Sequence, residues 1–234
     1  MKRLDAYLLA AVVGLAVPNA PSRPVHPSAD TTDIAQLPQV APKQAGDRQC
    51  ADIGAPSQPG SPVDTLTDLL KNRVDDGHYA DVSVTKVLEL PWENLPVRRY
   101  KWTAAQTKGV ARYERAAVTL TGYLISVKQE GNEATNCELP SAAWHDWHLW
   151  LVRTEAEAHA GDKTHAVVIE ITPRVRALGQ QTWDIHQIAA WARTGQKMTV
   201  SGWLLLDPDH PDQVGKSRGT IWEVHPVMHI GSAQ

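Results

Sequence analysis

The run Val118-Thr119-Leu120-Thr121-Gly122-Tyr123-Leu124 begins the first of five strand-like stretches in the second half of this 234-residue chain. β-Branched, aromatic and other apolar residues recur in these stretches, as is typical of strands. The predicted strands are Val118–Lys128, Trp147–Arg153, His165–Thr172, Lys197–Leu206 and Gly219–Ile230. A helical stretch, Thr182 to Arg193, separates the third strand from the fourth, and Gly195 follows it as a helix stop.

Three strands, one helix and two strands is the order of an oligonucleotide/oligosaccharide-binding (OB) barrel. We therefore predict a mainly β protein, with a five-stranded OB-like barrel at residues 116–234 and a small α-rich extension at residues 63–115. In the extension, leucines at helical spacing predict a helix after Asp64, Val82–Val87 is strand-like, and Thr103 with Gln106 forms a capping-box pattern. The residues expected to point into the barrel are Leu149, Leu151, Val167, Ile169, Ile171, Trp222 and Val224.

The N-terminal residues do not resemble a folded domain. Residues 1–20 are typical of a signal peptide, since Lys2 and Arg3 precede an apolar run from Tyr7 to Val17. This run is shorter than the roughly 20 residues of a membrane span. Later segments are too polar, so we expect no membrane span once the leader is removed. Residues 21–62 are rich in Pro, Ser, Ala, Gln and Gly, and this composition predicts a disordered linker.

The leader predicts an exported protein, either periplasmic or secreted. Two cysteines, Cys50 and Cys137, agree with an oxidising compartment, in which they can form one disulfide between the linker and the globular part. Two independent thiols are the alternative, because Cys50 lies in the predicted linker. A metal site at these cysteines is not indicated, since metal-binding cysteines are closely spaced.

The charge balance bears on the partner. The chain has 23 Lys and Arg against 26 Asp and Glu, a net charge of −3, and it lacks a continuous basic stripe. Nucleic acid is therefore not the expected partner, although the OB fold is known for binding it. We expect an unknown extracytoplasmic ligand instead.

Two acid-x-His triplets, Asp146-Trp147-His148 and Glu223-Val224-His225, lie in or beside predicted strands. Residues two apart in a strand share a face, so each triplet points a carboxylate and an imidazole the same way. Glu170 lies in the strand between them, and the second, third and fifth strands of an OB barrel are neighbours. Because these side chains alternate with the inward-facing apolar residues, we expect all five to share one sheet face or rim.

Three interpretations of this set stay open. Opposed Glu and His side chains can pair across strands, each pair contributing about 0.2–1 kcal/mol. Imidazoles and carboxylates at this spacing are also ligands for a divalent metal such as zinc, or for another polar ligand. The same groups can act as a general acid–base pair. The sequence assigns no cofactor and no catalytic residue among these choices.

Basic residues near the strand ends are weaker candidates for contact with an anionic ligand. Arg174 follows the third strand and can clamp a carboxylate or phosphate bidentately, or pair with Glu170 or Glu223. Lys216 and Arg218 lie in the turn-rich loop between the last two strands, where an OB fold often binds ligands.

Six runs carry a resemblance to other proteins: Lys101–Gln106, Val118–Leu124, Asp146–His148, Glu170–Arg174, Ser201–Leu204 and Thr220–Val227. In these runs the chain resembles uncharacterised exported bacterial proteins with an OB-fold-like C-terminal domain. The resemblance extends over residues 64–230, and its last run is fairly specific. It implies an OB-like fold and no established activity.

The sequence thus supports three functional hypotheses. The first is an exported binding module with a polar or metal site formed by the two triplets. The second is a metal-dependent hydrolase that uses the same side chains, with Glu170 or Glu223 as general base. The third is a structural envelope protein without a site, in which the two triplets lie apart or are buried in separate packing contacts.

Overall fold

The structure is a computed structural model that describes residues 28–56 and 64–233. The predicted signal peptide lies outside the described residues, as do both ends of the predicted linker. No helix of the described part of the chain is long and apolar enough to cross a bilayer.

Six strands form one sheet, and five of them close into a barrel. The strands are β1 (Ala80–Val82), β2 (Ala117–Gln129), β3 (Trp147–Val152), β4 (Val167–Ile171), β5 (Lys197–Leu206) and β6 (Trp222–Ser232). Their order is β1-β2-β3-β4-β6-β5, and β5 pairs back with β2 to close the barrel. Strands β4 and β6 run parallel, whereas the other barrel pairs are antiparallel. The predicted five-stranded OB-like barrel is confirmed, with β1 added beside β2.

The helices are short and lie in the segments that precede or connect the barrel strands. They are α1 (Thr65–Lys71), α2 (Val84–Leu88), α3 (Ala104–Val110), α4 (Glu155–Ala160), α5 (Pro173–Ala177) and α6 (Ile185–Arg193). Helix α6 lies between the third and fourth barrel strands, as predicted. The capping box is also confirmed, because Thr103 accepts from the Gln106 backbone and Gln106 accepts from the Thr103 backbone.

The strand predicted over Val82–Val87 is wrong beyond its first residue. The Ser83 hydroxyl accepts the Lys86 backbone N–H and begins α2. Val84 and Val87, three residues apart, are then buried on one helix face. Val82, Val84 and Val87 are compatible with a strand and with one face of a helix. The N-cap hydrogen bond of Ser83 favours the helix.

The barrel interior is built from the residues predicted to face inward. All seven are completely buried and belong to one apolar cluster, which also contains Leu120, Leu124, Val200 and Leu204. Close strand contact at Gly122 completes the wall, since a side chain there would place Cβ 2.3 Å from the Val152 carbonyl oxygen. Only glycine fits at that point of β2.

Residues 28–56 correct the prediction of a disordered linker for this part of the chain. Ile34 packs into the main core, and the Lys43 carbonyl accepts from the Val74 backbone N–H at 2.8 Å. Cys50 and Cys137 form a disulfide, so the alternative of two independent thiols is wrong. Composition suggested an extended tether because prolines dominate the segment, whereas a few apolar anchors and one crosslink suffice to fix it.

Candidate functional site

The strand register brings the two triplets together. His148 on β3 lies opposite Glu170 on β4, and Val168 on β4 pairs with Glu223 on β6. Neighbouring strands therefore present His148, Glu170, Glu223 and His225 side by side, and Asp146 lies just before β3. We call these five residues the Glu170 cluster.

Glu170 is the centre of the cluster because its two oxygens face different imidazoles. Oε1 lies 2.6 Å from His148 Nε2, and Oε2 lies 3.0 Å from His225 Nδ1. Glu223 Oε1 approaches the same His225 Nδ1 at 3.2 Å. Both triplets are thus linked through one carboxylate.

Charged neighbours of alternating sign extend the cluster at both ends. His148 Nδ1 bonds Glu130 Oε1 at 2.9 Å. At the other end, Arg218 donates to Glu223 Oε2 at 3.4 Å and to Asp207 Oδ2 at 2.8 Å. Cross-strand pairing, one of the predicted interpretations, is therefore present, but as a continuous network of ion pairs.

The cluster is more deeply buried than a sheet rim. Asp146 and His225 are each 1% exposed, Glu223 is 0% exposed and Glu170 is 5% exposed. Only His148 is partly exposed. The five side chains lie on a covered face rather than at an exposed rim, because α1 and the loops around residues 130–138 and 207–218 lie over this side of the sheet.

A polar cavity of about 520 Å³ opens above the cluster. His148 and Glu170 line it together with Lys71, Glu133 and Arg218. Asp146, Glu223 and His225 lie beneath this lining. The site therefore has an accessible upper layer and a closed lower layer.

The carboxylates around the two imidazoles raise their pKa values. Burial is the largest single effect and lowers the pKa of His148 and of His225, but the neighbouring carboxylates, Glu170 foremost, together outweigh it and raise each pKa to about 10. Burial likewise raises the pKa of Glu170, and the two imidazoles outweigh it and hold that pKa well below the ordinary value. In the metal-free protein both imidazoles are therefore cationic at neutral pH.

Other carboxyl groups beside the cluster have raised pKa values. Burial, followed by repulsion from Asp146 and Glu170, raises the pKa of Glu133 to about 8. Burial also raises the pKa of Asp146, and Glu170 adds to the shift. On this side of the cluster, burial and the closeness of the carboxyl groups thus favour the protonated, uncharged form of Glu133 and Asp146.

Two sets of three ligand atoms converge on Glu170. The inner group is Asp146, Glu170 and His225, and the outer group is His148, Glu170 and Glu223. In each group the three nitrogen or oxygen atoms lie within 4.8 Å of one another. Both sets combine one imidazole with two carboxylates, which is a donor set suited to zinc and similar divalent ions.

Buried nitrogen and oxygen atoms of the cluster differ in whether they have a partner. His148 Nε2 forms an ion pair with Glu170 Oε1 at 2.6 Å. Asp146 Oδ2 and His225 Nε2 are buried and have no hydrogen-bond partner among the described residues. Such atoms are uncommon in folded proteins because each costs about 1–3 kcal/mol.

A second layer of amide, guanidinium and disulfide groups holds Asp146. Asn136 donates to Asp146 Oδ1 at 3.0 Å and accepts from Arg174 at 2.9 Å. Arg174 also donates to the Cys50 carbonyl at 3.2 Å. The disulfide joins Cys50 to Cys137, the residue after Asn136. Arg174 is buried here, and its Nε lies 4.0 Å from Asp52 Oδ1. Among the described residues its partners are thus Asp52, Asn72, Asn136 and the Cys50 segment, rather than Glu170 or Glu223, and it does not line the cavity.

The two loop cations proposed as anion contacts have different positions. Arg218 is buried, lines the cavity and is paired with Asp207 and Glu223. Lys216 is exposed and does not line the cavity. The structure therefore separates these neighbours into one network member and one surface residue.

Sequence reasoning missed Lys71, Glu130, Glu133 and Asp207. Burial lowers the pKa of Lys71, but attraction to Glu170, Asp207 and Glu223 raises it well above its usual range. Lys71 ends α1 and Asp207 follows β5, positions at which charged residues are usually solvated. No local pattern marks them, because only the fold brings them to the cluster.

Comparison of the chain with protein families, with curated proteins and with solved structures found no match. The function must therefore be argued from the geometry of the site.

Proposed function

We propose that this chain is an exported binding module that holds a divalent transition-metal ion, with Zn²⁺ as the reference ion, at the inner group of Asp146, Glu170 and His225. The observation that carries this proposal is that two buried atoms of that group, Asp146 Oδ2 and His225 Nε2, have no hydrogen-bond partner in the part of the chain that the structure describes. Pairing between strands does not explain why these two buried atoms lack a partner. A cation bound in the inner group would supply one.

The donor chemistry favours a transition metal over calcium. Calcium takes six to eight oxygen ligands, whereas zinc accepts a mixture of imidazole nitrogen and carboxylate oxygen. The inner group offers one imidazole and two carboxylates. Asn136 donates a hydrogen bond to Asp146 Oδ1, as residues that orient metal ligands commonly do.

Neither carboxylate suggested as a general base is well placed for hydrolysis. Glu223 is fully buried and is held by Arg218 and His225. Glu170 is a ligand in this proposal and already contacts both imidazoles. Binding is therefore the function that this geometry supports best.

Export is part of the same proposal. The leader-like residues 1–20 support it, and the Cys50–Cys137 disulfide is compatible with an oxidising compartment. Fractionation of a bacterial host that expresses the full chain tests this point. Recovery of the protein only from the cytoplasmic fraction, with its leader uncleaved, would contradict export.

Metal binding is tested on chelator-treated full chain titrated with Zn²⁺ and, in parallel, with Ca²⁺. We expect zinc to bind and to raise the free energy of unfolding by about 2.7 kcal/mol when free zinc is 100 times the dissociation constant. Asp146→Asn keeps the size of the side chain and should weaken binding at least ~10-fold, or about 1.4 kcal/mol.

His229→Ala is the matched control because His229 is on the same strand as His225 but is only half-buried and hydrogen-bonds Asp76. It should leave zinc affinity unchanged. Absence of zinc binding to the wild type, or equal loss in Asp146→Asn and His229→Ala, would refute the proposed site.

A further inference from the structure

The two ligand groups of the site share one residue. Glu170 belongs to both the inner and the outer group, and its two oxygens point to different imidazoles. A carboxylate with one oxygen toward each of two ligand sets is the arrangement by which two-metal sites hold their ions about 3.5–4 Å apart.

We propose that Glu170 bridges two divalent cations, one in the inner group and a second in the outer group of His148, Glu170 and Glu223. This inference rests on the proposed function and extends it from one ion to two. Each ion would have one imidazole, one carboxylate of its own and one oxygen of the shared carboxylate.

Each group places one imidazole beside its own Glu170 oxygen. His148 Nε2 lies 2.6 Å from Oε1, and His225 Nδ1 lies 3.0 Å from Oε2. In each group one atom from every member lies within 4.8 Å of the other two.

Arg218 does not block the outer group. Its guanidinium donates to Glu223 Oε2, whereas Glu223 Oε1 faces His225. The bond from Arg218 to Asp207 is shorter, at 2.8 Å against 3.4 Å, so Asp207 holds the arginine to one side. To bind an outer ion, Glu223 Oε1 would have to exchange its 3.2 Å contact with His225 Nδ1 for the ion, whereas the pair between Arg218 and Asp207 would stay intact.

The two positions differ in access. His148, which belongs only to the outer group, lines the cavity with the shared Glu170, whereas Asp146, Glu223 and His225 are buried and do not line it. The outer ion should therefore exchange with solvent more rapidly than the inner ion. A chelator should remove the two ions in separate phases.

Zinc stoichiometry on the metal-free full chain tests the inference. We expect two Zn²⁺ per chain in the wild type and in His229→Ala, and one in Asp146→Asn and in His148→Ala. Glu170→Gln should lose both high-affinity ions. Near-ultraviolet circular dichroism confirms that each variant is folded before its stoichiometry is interpreted.

The outcomes separate this inference from the proposed function. One ion in the wild type, unaffected by His148→Ala, overturns the two-ion centre and leaves the inner site standing. No bound ion overturns both, and two ions that persist in His148→Ala overturn the assignment of the outer position. Mn²⁺ provides an independent readout, because two bridged ions give an exchange-coupled electron paramagnetic resonance spectrum and a single ion does not.

Discussion

Replacing Glu170 by Gln tests the charge network in the metal-free protein. Gln has nearly the same volume, so the change removes charge without leaving a cavity. Removing one partner of a buried ion pair costs about 3–5 kcal/mol because the other charge stays buried. His225 would keep Glu223 at 3.2 Å and His148 would keep Glu130 at 2.9 Å. We therefore expect the lower end of that range, about 3 kcal/mol.

Urea unfolding followed by tryptophan fluorescence measures this loss, since the chain has nine tryptophans and Trp203 and Trp222 are fully buried. The control is Glu155→Gln, which removes a carboxylate 3.3 Å from His159 in a pair whose side chains are about 60% exposed. An exposed pair contributes only about 0–1 kcal/mol. Equal losses in the two variants would show that Glu170 is not part of a desolvated network.

The pH dependence gives a second readout with a fixed sign. The pKa of each cluster imidazole is about 10 in the folded protein, above its value in the unfolded chain. The stability that this contributes is complete below the unfolded pKa of about 6.5 and is lost as pH rises toward 10. The difference between wild type and Glu170→Gln should therefore shrink over that interval. A difference that stays constant would contradict the role of Glu170 in stabilising the imidazolium ions.

Three other predictions follow from the same structure. Zinc binding should release protons from the cluster imidazoles, so calorimetric enthalpies measured near pH 7 should vary with the ionisation enthalpy of the buffer; no variation would mean that the imidazoles are not ligands. Cys50→Ser opens a disulfide between residues 87 apart and should cost about 4 kcal/mol of unfolding free energy, whereas an unchanged urea midpoint would mean that the N-terminal segment is not fixed by Cys137. Gly122→Ala should destabilise strongly, because its Cβ would lie 2.3 Å from a carbonyl oxygen. At Gly109 an added Cβ would have no described residue within 4 Å, so Gly109→Ala should stabilise α3 by about 0.5–1 kcal/mol, and thermal denaturation of the two variants checks this contrast.

The barrel and the meeting of the triplets could be predicted because both depend on strand order and on side-chain alternation. Once Glu170 was placed between the two triplets, an OB barrel had to bring His148, Glu170 and His225 onto adjacent strands. Which strands are neighbours follows from the order of an OB barrel. Which residues share a face follows from the alternation of side chains along each strand.

The depth of the site could not be predicted in this way. Lys71 comes from α1 and Glu133 from the loop before β3, and neither position has a periodic pattern that relates it to β4. The order of residues 28–56 was missed for a related reason. Ile34 and Cys50 anchor that segment through contacts with distant parts of the chain, and such contacts leave no trace in local composition.

The burial of the network bears on the choice among the three hypotheses. Buried ion pairs are weak contributors to stability, because desolvation consumes much of their attraction and apolar residues of similar volume are often as good. A structural envelope protein would therefore gain little from placing Glu170, Glu223 and His225 together beneath a polar cavity. That hypothesis also required the two triplets to lie apart or in separate contacts, whereas one carboxylate contacts both. A buried group of perturbed carboxyls and imidazoles beside a cavity is more characteristic of a binding site, and this is why a ligand, rather than packing, is the better physical reason for the cluster.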